Sequence, residues 1–135
     1  ADVSKSGFLT QYCGWHTYAS LSSTTIKYSF VGNPGMNTAC LAQTTSPNGD
    51  AGVDGMISVI AHELEEAVTD PQLNAWADSR GYENADKCAW TYGTTYAIGR
   101  AKANVRLGNR HFLLQTNWVN SGTATGTCAL ALPSN

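Results

Sequence analysis

Residues 62–66 read His62-Glu63-Leu64-Glu65-Glu66. On a helix, residues four apart share a face, so His62 and Glu66 point the same way with Glu63 beside them. An imidazole and a carboxylate so placed can hold a divalent ion, and a neighbouring carboxylate can take a proton from ion-bound water. The common short metallopeptidase pattern ends in a second histidine; here that place is a glutamate. Downstream, Glu83 and Asp86 are three residues apart and share a face of any helical turn there. A catalytic zinc site has three protein ligands and a water. His62, Glu66 and either Glu83 or Asp86 meet that requirement. The remaining carboxylate would orient His62, and Glu63 would be the general base. Such an oxygen-rich set also admits calcium, magnesium or manganese. The competing reading is plain: glutamates favour helices, and a charged helix face is ordinarily a solvated one.

The element that must carry these residues is a helix over roughly 55–69. Ile57, Ile60, Ala61, Leu64 and Val68 fall on one apolar stripe at helical spacing. That stripe is centred nearly opposite His62 and Glu66, so the core side and the chemical side are expected to be separate. Asp54 is the expected N-cap, and Asp70-Pro71 the stop, because proline disfavours a helical residue before it. Ile26, Tyr28 and Phe30 alternate with polar residues as in a half-buried strand, closed by a turn at Gly32-Asn33-Pro34-Gly35. Residues 42–53 read as a loop with Pro47-Asn48-Gly49 at its tip. Residues 71–82 read as irregular, anchored by Trp76, and Glu83 to Trp90 as a short helix. Strands are expected over 111–119 and 123–132. The fold class is α+β, with one central amphipathic helix on an antiparallel sheet in a single domain over residues 1–135.

Charged residues make up 13% of the chain, while aliphatic and aromatic residues occur throughout, so the composition is not that of a disordered chain. No apolar run reaches the length of a membrane span. Ala1 in place of Met is expected of a processed chain. Cys13, Cys40, Cys88 and Cys128 show no zinc-knuckle spacing. Their even number, with few charges, points to a secreted protein with two disulfides. Three connectivities are open; Cys13–Cys40 with Cys88–Cys128 is preferred because each ties a local segment. Nine of the ten carboxylates lie between Asp50 and Asp86, a block that a cation could gather. Arg100, Lys102, Arg106 and Arg110 form a later basic segment that either neutralises that block or faces an anionic substrate. His16 and His111 read as hydrogen-bonded structural residues. Arg110 and Tyr96 are weak candidates to line a cleft and stabilise an oxyanion. Trp15, Trp76, Trp90 and Trp118 read as core or cleft walls, and would also suit sugar stacking.

The run from Asn48 to Met56, Asn-Gly-Asp-Ala-Gly-Val-Asp-Gly-Met, resembles a hallmark of the EXORDIUM, or phosphate-induced, proteins. Gly108-Asn109-Arg110-His111-Phe112-Leu113-Leu114 is similar to that family's glycine-arginine-lysine-tyrosine-leucine-leucine segment. Tyr12 to His16, Tyr28 to Asn33 and a late cysteine at Cys128 fit the same order. The resemblance implies secretion to the cell wall or apoplast; the plant members have no settled enzymatic activity. The helix departs from the plant pattern. It looks closer to microbial relatives with a His-Glu-x-x-Glu helix, then Thr69-Asp70-Pro71, Trp76 and a Gly-x-Glu-x-x-Asp-x-Cys run, here Gly81 to Cys88. In that run Glu83 and Asp86 look like the downstream ligand and supporting aspartate of gluzincin-type metallopeptidases, which implies a zincin-like fold.

Three functions compete. The leading expectation is a small secreted metal-dependent hydrolase, a zinc peptidase acting on protein or peptide. The second is a non-catalytic secreted module binding cell-wall glycan, with a structural metal or acidic site. The third is a metal-dependent nuclease. No membrane partner is expected, and nucleic acid is the least favoured one.

Overall fold

The structure, a computed structural model, describes residues 6–120 and 126–130. Its longest element is the helix α1, Ala51–Thr69. The helix begins four residues before the expected start. Asp50, not Asp54, is the N-cap, accepting the Val53 N–H at 3.0 Å. Asp54 serves the preceding loop instead. Its carboxylate accepts from the Ser46 hydroxyl at 2.5 Å and the Asn48 amide at 2.7 Å. The Asn48 side chain also pairs with the backbone N–H and C=O of His111, stitching the loop to a distant strand. Asp70 closes the helix as expected. Its N–H donates to the Glu66 carbonyl, and its buried carboxylate caps Asn74 and Ala75.

The apolar stripe is not the buried face. Ile60, Leu64 and Val68 are exposed, the last at 69%. The residues turned inward are Gly52, Gly55, Ser58, Val59, Glu63 and Glu66, which also recur at helical spacing. Core side and chemical side therefore coincide. The physical reason is proximity rather than hydrophobicity. A methyl at Gly55 would meet the Leu41 side chain at 2.6 Å, and one at Gly52 would strike Asn33 and the Gly35 backbone. Only bare backbone admits neighbours this close.

In place of one sheet, the described residues form four antiparallel two-stranded ones. β1 (Gly14–Leu21) and β2 (Thr24–Val31) form the longest hairpin, in register from Gly14–Val31 to Leu21–Thr24. Its inner end packs on α1, while its tip is exposed; Ile26 and Tyr28 are not half-buried as expected. Trp15 stacks on Phe30 with ring centres 5.8 Å apart and meets Tyr28 edge-on. β3 (Tyr96–Ile98) pairs with β4 (Ala101–Ala103), and β5 (Val105–Leu107) with β6 (Arg110–Phe112). β7 (Asn117–Val119) pairs with β8 (Thr127–Ala129). The expected strand over 111–119 is thus split between β6 and β7, and the last strand is shorter than 123–132. Residues 121–125 and 131–135 lie outside the described ones.

The short helix expected over 83–90 reduces to one 3-10 turn, Asp86–Cys88. Trp76 does not anchor its loop; it is 66% exposed. Both preferred disulfides are formed. Cys13–Cys40 fixes the start of β1, and Cys88–Cys128 joins the 3-10 turn to β8. The buried apolar core includes Cys40 and Cys88 with Val59, Ala85, Ala103 and Phe112.

Candidate metal centre

Two segments meet the inner face of α1. The helix brings His62, Glu63 and Glu66. β1 brings His16, which shares a strand face with Gly14 because strand side chains alternate. Gly14 lets that strand close on the helix: a methyl there would lie 2.7 Å from Val59 Cγ1 and 2.8 Å from Glu63 Oε1. The turn after residue 82 brings Glu83 and Asp86. Glu66 docks that turn, accepting the Asp86 backbone N–H on Oε1 at 3.0 Å. Asp86 in turn accepts the Glu83 N–H at 3.4 Å, so the two acids hold a tight loop rather than one helix face.

His62 Nε2 lies 3.1 Å from Glu66 Oε1 and 3.4 Å from Asp86 Oδ1. His16 Nε2 lies 3.2 Å from both Glu83 oxygens and 3.7 Å from Glu66 Oε2. The donors therefore form two groups of three, His62–Glu66–Asp86 and His16–Glu66–Glu83, with ligand atoms in each within 4.8 Å of one another. The four expected ligands His62, Glu66, Glu83 and Asp86 come together, but Glu83 stands with His16 and not with His62. All of them, with Glu63, line one cleft of about 520 Å³.

His16 is the residue that sequence reasoning missed. It is buried and paired with acids of the cluster rather than a bystander. Its local signal was a glycine two residues earlier on the same strand face, which marks a close approach. His111 stays structural, its Nδ1 bonded to the Tyr96 hydroxyl at 3.0 Å. Neither Tyr96 nor Arg110 lines the cleft. Trp15 and Trp90 do. Trp90 has a left-handed backbone, φ 61°, held by Gln115 Oε1 accepting its N–H at 2.6 Å.

Electrostatics follow from burying acids together. Desolvation pushes the Glu63 carboxyl up to about 7, with help from the charges of Glu66, Asp86 and Glu83. Burial also raises Glu83, against its hydrogen bond to His16. Burial works against a His62 cation, but hydrogen bonds to Asp86 and Glu66 override it and raise the ring to about 10. The same His62 bond holds Asp86 below the usual carboxylate range. The cluster demands positive charge. Protons on imidazole can supply it, and so can a divalent cation, for which mixed imidazole and carboxylate donors are suitable ligands.

The family pattern described as Phosphate-induced protein 1 conserved region matches residues 1–123. The chain is 42% identical over 113 residues to Protein EXORDIUM-like 3 of Arabidopsis thaliana, covering 69% of this chain and 34% of that protein. It is 31% identical over 150 residues to Protein EXORDIUM-like 5 of the same plant, covering 87% of this chain and 41% of that protein. The chain thus spans well under half the length of these curated relatives. No solved structure matches.

Proposed function

The chain belongs to the phosphate-induced protein family, and from that premise we propose that it is a secreted metal-dependent hydrolase, a peptidase using zinc. The observation that carries this reading is the grouping of His62, Glu66 and Asp86 within ion-binding distance, beside the buried Glu63, in an open cleft. In this reading His62 Nε2, a Glu66 oxygen and an Asp86 oxygen would hold the ion, which when bound would acidify a water and polarise a scissile carbonyl. Glu63 would receive the water proton and pass it to the leaving amine. Two disulfides fit an oxidising, extracellular setting. We further propose that the fold is zincin-like and that microbial members of the family share the His-Glu-x-x-Glu helix.

The test compares cleavage of an unfolded protein substrate by wild type and Glu63→Gln, with metal content measured in both. The expected result is retained metal and a loss of roughly 10²–10⁴-fold in rate. Equal activity in the two proteins removes Glu63 from the mechanism. One observation favours a second reading: Trp90, 43% exposed, borders the cleft beside the acidic cluster, as sugar-stacking residues do. Metal present without cleavage in either protein, together with binding of a cell-wall polysaccharide, would select the glycan-binding module. Arg100, Lys102, Arg106 and Arg110 do not line the cleft, so no observation favours the nuclease.

A further inference from the structure

We propose that the cleft binds two divalent ions bridged by the Glu66 carboxylate, one held with His62 and Asp86 and the second with His16 and Glu83. This rests on the metal-dependent reading above and extends it by a site built from β1, an element outside the His-Glu-x-x-Glu helix. The donors do not form one five-membered cage. They separate into two triads whose shared member is Glu66, and each triad contains one imidazole and two carboxylates. Glu66 divides its oxygens between them. Oε1 faces His62 at 3.1 Å and Oε2 faces His16 at 3.7 Å.

The spacing within each triad suits an ion. Ligand bonds of about 2.0–2.2 Å in tetrahedral geometry put ligand atoms roughly 3.3–3.6 Å apart. The imidazole–carboxylate separations are 3.1 and 3.4 Å at His62 and 3.2 and 3.7 Å at His16, and they bracket that range. A carboxylate that gives one oxygen to each of two ions matches the separation of about 3.5–4 Å found in two-metal hydrolytic sites.

The charge balance points the same way. Glu63, Glu66, Glu83 and Asp86 place four carboxylates in the cleft, and no lysine or arginine is among its lining residues. Glu66 and Glu63 are 3% and 5% exposed, so water screens them poorly. With neutral imidazoles, the three triad carboxylates Glu66, Glu83 and Asp86 leave one negative charge against one divalent ion, and ionised Glu63 adds a second that a further divalent ion offsets. A second ion also gives the site a clamp, one ion on the attacking water and one on the oxygen that gains charge.

Manganese(II) titration of the full chain, followed by equilibrium metal analysis and electron paramagnetic resonance, tests this. Wild type is expected to bind two equivalents and give an exchange-coupled spectrum. His16→Ala and the near-isosteric Glu83→Gln, at a side chain 15% exposed, are each expected to bind one equivalent with an uncoupled signal. Glu83→Gln guards against misfolding, and circular dichroism checks the fold of both. One equivalent in wild type, retained in His16→Ala and lost in His62→Ala, overturns the second ion and leaves the single-metal hydrolase standing. One equivalent lost in both histidine variants means a single shared ion and also overturns the proposal. No bound manganese or zinc in wild type overturns both readings together.

Discussion

Replacing Gly14 by alanine tests the contact on which the site geometry depends. A methyl at Gly14 would sit 2.7 Å from Val59 Cγ1, 2.8 Å from Glu63 Oε1 and 3.1 Å from the Phe30 carbonyl. Carbon atoms prefer separations of about 3.5–4.0 Å, so the strand must lift from the helix by roughly 0.8 Å or more. Val59 cannot easily yield, because it is a stiff branched side chain in the core. Phe30 cannot either, because its carbonyl belongs to the paired strand. Overpacking of this kind costs about 1–3 kcal/mol. A chain of 135 residues has an unfolding entropy near 0.28 kcal/mol/K, from about 2.1 cal/mol/K per residue, so each kcal/mol moves Tm by about 3.5 °C. The expected fall is about 4–11 °C by calorimetry in chelator, against Ser20→Ala on the exposed end of β1 as the control. The sign is diagnostic. Without the close contact, Gly→Ala restricts the unfolded chain and stabilises by about 0.4–1 kcal/mol. An unchanged or raised Tm would refute the packing of β1 on α1, and with it the placement of His16 beside Glu66.

Three further outcomes are expected. Loss of the Cys13–Cys40 bridge, with a separation of 27 residues, should cost about 3.6 kcal/mol, and loss of Cys88–Cys128, with a separation of 40, about 3.9 kcal/mol, by loop-closure entropy. Denaturant melts of the paired Cys→Ala variants measure this, and four alkylatable thiols in the native protein would contradict it. Asp50→Ala should cost about 1 kcal/mol as a lost N-cap. Asp54→Ala should cost more, roughly 1.5–3 kcal/mol, because it strands Ser46 and Asn48; the reverse order in thermal melts would restore Asp54 as the cap. In chelator, stability should fall as pH rises from 7 to 10. The His62 pKa is raised from 6.5 to about 10 on folding, so its contribution is full below 6.5 and is lost as pH passes through 10. Glu63, raised from 4.5 to about 7, acts in the same direction between those values. A flat profile, or an equal slope in His62→Gln, would count against the His62 pairing with Glu66 and Asp86.

Local signals were legible in the sequence, and three-dimensional proximity was not. The α1 helix, its stop at Asp70 and the two cysteine pairings rest on short-range pattern and were read correctly. The helix start was misplaced because two aspartates stood four residues apart, and only the fold shows which one faces the first turn and which one the loop. The buried face was misassigned because periodicity weighs hydrophobic side chains. Here the helix is seated through glycines and acids, and Leu64 and Val68 face outward. His16 was missed because its partners Glu66 and Glu83 are distant in the chain, joined through a hairpin that no local pattern places against the helix. Helical spacing would put carboxylates 83 and 86 on one face. The backbone instead folds them into a tight turn, which sends Glu83 to His16 and Asp86 to His62.

Anomalous diffraction at the zinc edge, from crystals grown with zinc, tests the central claim most directly. The expected result is a peak about 2.0–2.2 Å from His62 Nε2, with Glu66 and Asp86 oxygens around it and Glu63 facing its open side. Absence of any peak in the cleft at saturating zinc, with His62 still paired directly to the Glu66 and Asp86 carboxylates, would contradict the metal-dependent account.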